Sequence, residues 1–154
     1  MPSVVAVDPR RVELQPAPIP PDWILAGDPI ATAAEVARSE DGTCVTCVWA
    51  TTPGTFRWRF GVDEIVQIIE GELFISDDLG QPERRLGPGD AAVFPAGTTQ
   101  VWRVTQPLRK VAVCRHALPR SAGFALRALS RLAAIARGDV RPGALVAQAV
   151  RRAA

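Results

Sequence analysis

The chain has 154 residues, 47% apolar and 22% charged, with a net charge of +2; this excludes a disordered polymer and leaves room for one domain of ordinary size. One histidine, His116, rules out any site built from two or three histidines of one chain, and with it histidine-based zinc proteases and fingers. One lysine (Lys110), no tyrosine and three cysteines leave any chemistry to carboxylates, arginines and very few special groups.

Residues 1–22 hold six of the 14 prolines, at positions 2, 9, 16, 18, 20 and 21. Proline fixes φ and removes a donor, so an extended arm is expected, either wrapping a neighbour or loose. Trp23-Ile24-Leu25 is its expected docking point. Met1 to Asp8 lack a basic stretch and a long apolar run, so no signal peptide is expected. No apolar run of about 18 residues exists, so no membrane span is expected, and the cytoplasm is the default location.

From 43 to 116 the chain reads as short strands separated by turns. Strands are expected at 43–50, 55–60, 64–69, 72–77, 91–94, 99–104 and 109–116, with a shorter one near 33–38. The breaks are Pro53-Gly54, Gly61, Gly71 (a hairpin turn), Asp77-Asp78-Leu79-Gly80, Gly87-Pro88-Gly89-Asp90, Pro95-Ala96-Gly97 and Gln106-Pro107. Such spacing indicates an all-β sandwich or barrel. Cys44 and Cys47 have CxxC spacing inside the first strand. Residues three apart on a strand point to opposite faces, so the pair does not close on one metal, and structural thiols are expected.

Past Pro119 the pattern changes to a helix from Ser121 to about Arg137, with Phe124, Ala128, Leu129, Leu132, Ile135 and Ala136 on one face. A second helix is expected near 143–153. Residues 120–154 carry seven arginines against Asp139, a net +6, and the remainder carries −4. The organisation expected is an arm (1–22), a β domain (23–118) and a basic helical extension (119–154).

Two spacings inside the β segment resemble the halves of the cupin signature. One runs from Glu64 across six residues to Gly71; the other runs from Gly89 across five residues to Pro95 and then Gly97. Thr52-Pro53-Gly54-Thr55-Phe56 and Trp102 resemble the branch holding ethanolamine-utilisation cupins and ureidoglycine aminohydrolase. The resemblance covers about 23–116 and implies a double-stranded β-helix, or jelly-roll barrel, usually a homodimer. It implies a metal held by two histidines before the glutamate and one after the Pro-x-Gly turn. Here those positions hold Trp58, Phe60 and Gln100. In the aminohydrolase-like branch the last ligand is a glutamine and a later lysine holds the substrate carboxylate, which Gln100 and Lys110 match by chain order.

Strand parity places Glu64, Val66 and Ile68 on one face, and Gln100, Trp102 and Val104 on one face. Trp58, Phe60 and Trp102 supply aromatic walls, with Arg57 and Arg59 facing outward. Lys110, Ala112, Cys114 and His116 share one face, but Val111 and Val113 make the opposite face the more apolar. His116 is therefore expected at a strand end, hydrogen-bonded or solvated; were its face turned inward, His116 and Cys114 could replace the missing ligands.

The favoured function is a metal-free pocket for a small molecule, possibly a carboxylate, formed by Trp58, Phe60, Glu64, Gln100, Trp102, Lys110 and His116. Glu64 and Gln100 would hydrogen-bond the ligand and Lys110 would pair with its charge; a barrel filled by Trp58 and Trp102 would exclude it. No cofactor is expected. The alternative is a divalent-metal enzyme resembling ureidoglycine aminohydrolase, with the ion near Glu64 and Gln100. A third reading is an interaction protein acting through the basic C-terminal helices, although a membrane or nucleic acid partner is not expected because an apolar helix stripe packs on protein first.

Overall fold

A computed structural model describes residues 4–77, 81–116 and position 129. Among these residues nine strands follow one another: β1 (Gln15–Pro16), β2 (Ile24–Ala26), β3 (Ala31–Arg38), β4 (Cys44–Thr51), β5 (Gly54–Arg59), β6 (Asp63–Ser76), β7 (Arg84–Leu86), β8 (Ala91–Phe94) and β9 (Thr99–Arg115). A single 3-10 turn, Pro21–Trp23, precedes β2. All pairings are antiparallel, and the strands form one curled, cupin-like sheet.

The curl comes from β6 and β9, which pair along most of their length and bend together. The C-terminal part of β9 lies between β4 and the start of β6, which carries β8. Its N-terminal part lies between β5 and the end of β6, which carries β7. Each long strand thus serves both halves of the sheet, and the core lies between the halves.

The expected breaks at Gly71 and Gln106-Pro107 are therefore corrected. Gly71 is not a hairpin turn, and 64–69 and 72–77 are not separate strands. It sits inside β6 at φ +84°, where the register with β9 shifts. A Cβ there would stand 2.1 Å from the Pro107 carbonyl oxygen and 2.8 Å from the Leu108 Cα. The glycine and the proline mark a bulge where two strands cross closely, a contact that no local pattern reveals. The strands β1, β2 and β7 escape the sequence reading because they are only two or three residues long.

The arm is neither loose nor given to a neighbour along residues 8–19. Arg109 Nε and Nη2 donate to the carbonyls of Pro9 (2.7 Å) and Val12 (2.6 Å). Gln15–Pro16 pairs with β3, the Ala17 N–H donates to the Ala31 carbonyl at 3.0 Å, and Ile19 is buried in the core. The chain divides into units 1–117 and 118–154. The helices expected at 121–137 and 143–153 lie outside the described residues, except that Leu129 is helical.

Candidate functional site

The candidate site is assembled chiefly from alternate residues of β4, β5, β6 and β9. On β6, Glu64, Val66 and Ile68 are buried while Ile65 and Gln67 are exposed, as the parity predicts. On β9, Trp102 and Val104 are buried and Gln100 is half-buried. On β5, Phe56 is buried and Arg59 is exposed, its guanidinium lying 5.8 Å from the Trp23 ring. On β4, Trp49 and Cys47 join the core, and Cys44 is on the opposite face.

The C-terminal part of β9 reverses the expected polarity. Lys110 and Ala112 are 2% and 1% exposed, whereas Val111 and Val113 are only half-buried. Lysine turns inward because its ammonium is neutralised there. Nζ donates to Glu64 Oε1 in a fully buried ion pair. The same nitrogen lies 4.7 Å from the Trp102 ring centroid, 5.1 Å from Trp49 and 5.9 Å from Trp58. An opposite charge and electron-rich ring faces together offset the loss of hydration.

The rings form one cluster. Trp58 and Trp102 stack at 5.9 Å, and Phe60 stacks on Phe94 at 4.5 Å, with Trp102 5.5 Å beyond. The turn that positions Phe60 is fixed by its own backbone: its N–H donates to Thr98 and its carbonyl accepts from Gly97. Asp63 Oδ1 accepts from the Ala96 N–H at 3.0 Å and pins the Pro-x-Gly turn beside it. One polar atom inside is left over: Trp102 Nε1 is buried and has no hydrogen-bond partner among the described residues.

Of the seven candidates, Trp58, Phe60, Glu64, Trp102 and Lys110 come together. Gln100 lies opposite Trp58 in register but lines a hollow with Ile75, Ser76, Asp77, Glu83 and Arg84. His116 follows β9, is exposed, and its backbone N–H donates to the Thr43 carbonyl. The sequence reading missed Trp49 and Phe94; their signal was parity within their strands, which becomes informative only once the neighbours in the sheet are known.

A cupin-type divalent ion does not fit these residues. Trp58 and Phe60 offer no ligand atom, and Glu64 is engaged by Lys110. Among the described residues no group of three or more His, Cys, Asp or Glu side chains is placed to hold a metal ion. A borderline or hard divalent ion needs more donors than that.

Residues 38–112 match the family model of the EutQ-like cupin domain. The chain carries a EutQ-like cupin domain. The EutQ ethanolamine utilization protein of Salmonella typhimurium LT2 is similar to it in structure, with a TM-score of 0.50 and 20% identity, over 58% of this chain and 72% of that one. The Clostridium difficile EutQ protein is similar at 0.50 and 21% identity, over 58% and 70%. A DUF861-family protein of unknown function from Pseudomonas syringae pv. tomato is similar at 0.62 and 22% identity, over 68% of this chain and 45% of that one, so less than half its length is matched. At these identities the likeness concerns the cupin fold alone. No curated protein matches the sequence.

Proposed function

We propose that the interior of this cupin domain is a metal-free receptor for a small acceptor-bearing molecule, a short carboxylate above all. One observation carries the reading: the Trp102 indole N–H is buried without a partner among the described residues, with its ring 4.7 Å from the Lys110 ammonium. An unmet buried donor costs about 1–3 kcal/mol. An ammonium has three donors, and here a carboxylate oxygen takes one of them. Donors in excess of acceptors favour an acceptor as guest. Trp58 and Trp102 stack inside the sheet, so a guest of a few heavy atoms must displace Trp58, the half-buried member of the stack.

Titration calorimetry with formate, acetate and pyruvate, against chloride at equal ionic strength, tests the reading. Saturable heat that weakens about tenfold in Trp102→Phe, the loss of one hydrogen bond, is expected. Heats identical to those of chloride would overturn it. Elemental analysis of chelator-free protein tests the enzyme alternative: stoichiometric Mn, Fe, Ni or Zn would restore it.

The family resemblance further suggests a homodimer. Ile65 and Val93 face one another across β6 and β8 and are 51% and 65% exposed, an apolar pair that a second copy would cover. Sedimentation of the full chain, compared with Val93→Glu, reads this directly. The reading of the basic segment 119–154 as a docking element rests on sequence alone.

A further inference from the structure

The CxxC spacing pairs Cys47 with the wrong cysteine. Cys44 is on the other face of β4, whereas Cys114 of the adjacent strand β9 shares Cys47's face. In the register Cys47 stands opposite Ala112 and Cys114 opposite Val45, so the two thiols are diagonal neighbours on one face. Both are free and half-buried, packed at the border of the aromatic core. Glu64 stands opposite Cys114 on β6, Glu35 stands opposite Cys47 on β3, and Lys110 lies on the same face of β9.

We propose that Cys47 and Cys114 are a hydroperoxide-sensitive thiol pair, in which Cys47 is oxidised and Cys114 closes on it as an intramolecular disulfide.

The environment divides the labour. The hydrogen bond from Cys114 holds the Cys47 thiol below the usual range; burial opposes this, the Lys110 ammonium assists, and Glu64 and Glu35 oppose. Cys114 is pushed up, first by giving that same hydrogen bond and then by burial. Cys47 is therefore the nucleophile and Cys114 retains its proton. The Cys47 thiolate attacks the terminal oxygen of the hydroperoxide and the O–O bond breaks. Cys47 becomes a sulfenic acid, and the departing hydroxide or alkoxide takes a proton from water. The Cys114 sulfur then attacks the sulfenic sulfur, forming S–S and breaking S–O. The released hydroxide takes the Cys114 proton and leaves as water. In total two thiols are oxidised and one hydroperoxide is reduced. Diagonal neighbours start farther apart than a disulfide allows, so closure draws the strands together by about 1–2 Å. Cys114 is the penultimate residue of β9.

The test uses the full-length, reduced protein exposed to equimolar hydrogen peroxide, quenched by alkylation and mapped by mass spectrometry. A disulfide between 47 and 114 is expected, with Cys44 left alkylatable and Cys47 oxidised about tenfold faster than Cys44. In Cys114→Ser, Cys47 should stop at the sulfenic acid and be trapped by a cyclic dione. Equal oxidation of all three cysteines, a disulfide to Cys44, or three thiols left untouched would each overturn the proposal. The wild-type measurement stands by itself if the variant does not fold.

Discussion

Lys110 shows how one residue shapes the interior. Its ammonium and the Glu64 carboxylate are both buried, so each depends on the other. Removing one partner leaves an isolated charge in a low-dielectric interior, at a cost of about 3–5 kcal/mol. Lys110→Met should therefore lower stability in urea denaturation by that amount. The double variant Glu64→Leu, Lys110→Met should regain most of it, since an apolar pair of similar volume leaves no charge behind. If the single variant lost less than about 1 kcal/mol, the pair would not be holding the interior. The sequence pointed to both residues, but not to each other. Hydropathy along β9 favoured the valine face because it scores residue types one at a time, and a lysine becomes an interior residue only through a partner on another strand.

At the scale of elements, the shared bend of β6 and β9 decides the curl. Gly71 combines a positive φ with a backbone oxygen where its Cβ would be. Gly42 has φ +70° but nothing within 4 Å of its Cβ position. The two glycines separate strain from collision. Gly42→Ala should cost about 1 kcal/mol, from φ alone. Gly71→Ala should cost at least about 3 kcal/mol or abolish soluble folding, because backbone rather than a flexible side chain stands in the way. Thermal unfolding of the two variants side by side checks this. The alternation of Glu64, Val66 and Ile68 was legible in the sequence because period-two burial is a local property. The continuity of β6 through Gly71 was not, because the atoms that demand a glycine there belong to Pro107 and Leu108.

For the whole molecule, the acid limb of stability follows from surface carboxylates. Hydrogen bonds from Arg85 and then Thr105 hold Glu72 low, Arg103 does so for Glu83, and Arg38 for Glu35. Asp41 falls to about 2, chiefly through the Ser39 hydroxyl and then the Thr43 N–H. A depressed folded-state pKa stabilises above the unfolded value and loses that contribution as pH falls through the folded one. The unfolding temperature should therefore be level down to pH 4.5 and decline from there toward pH 2. All four groups are at the surface, so about 0.5 M salt should flatten the arginine-dependent part of the decline. The most far-reaching feature at this scale is β9. It pairs with β4, β5 and β6, yet it is the last of the strands among the described residues. A growing chain on the ribosome therefore holds β4, β5 and β6 without their common partner until residues 99–115 have emerged. The pairings that curl the sheet thus form late, and until then the tryptophans of β4 and β5 lack the β9 residues that bury them.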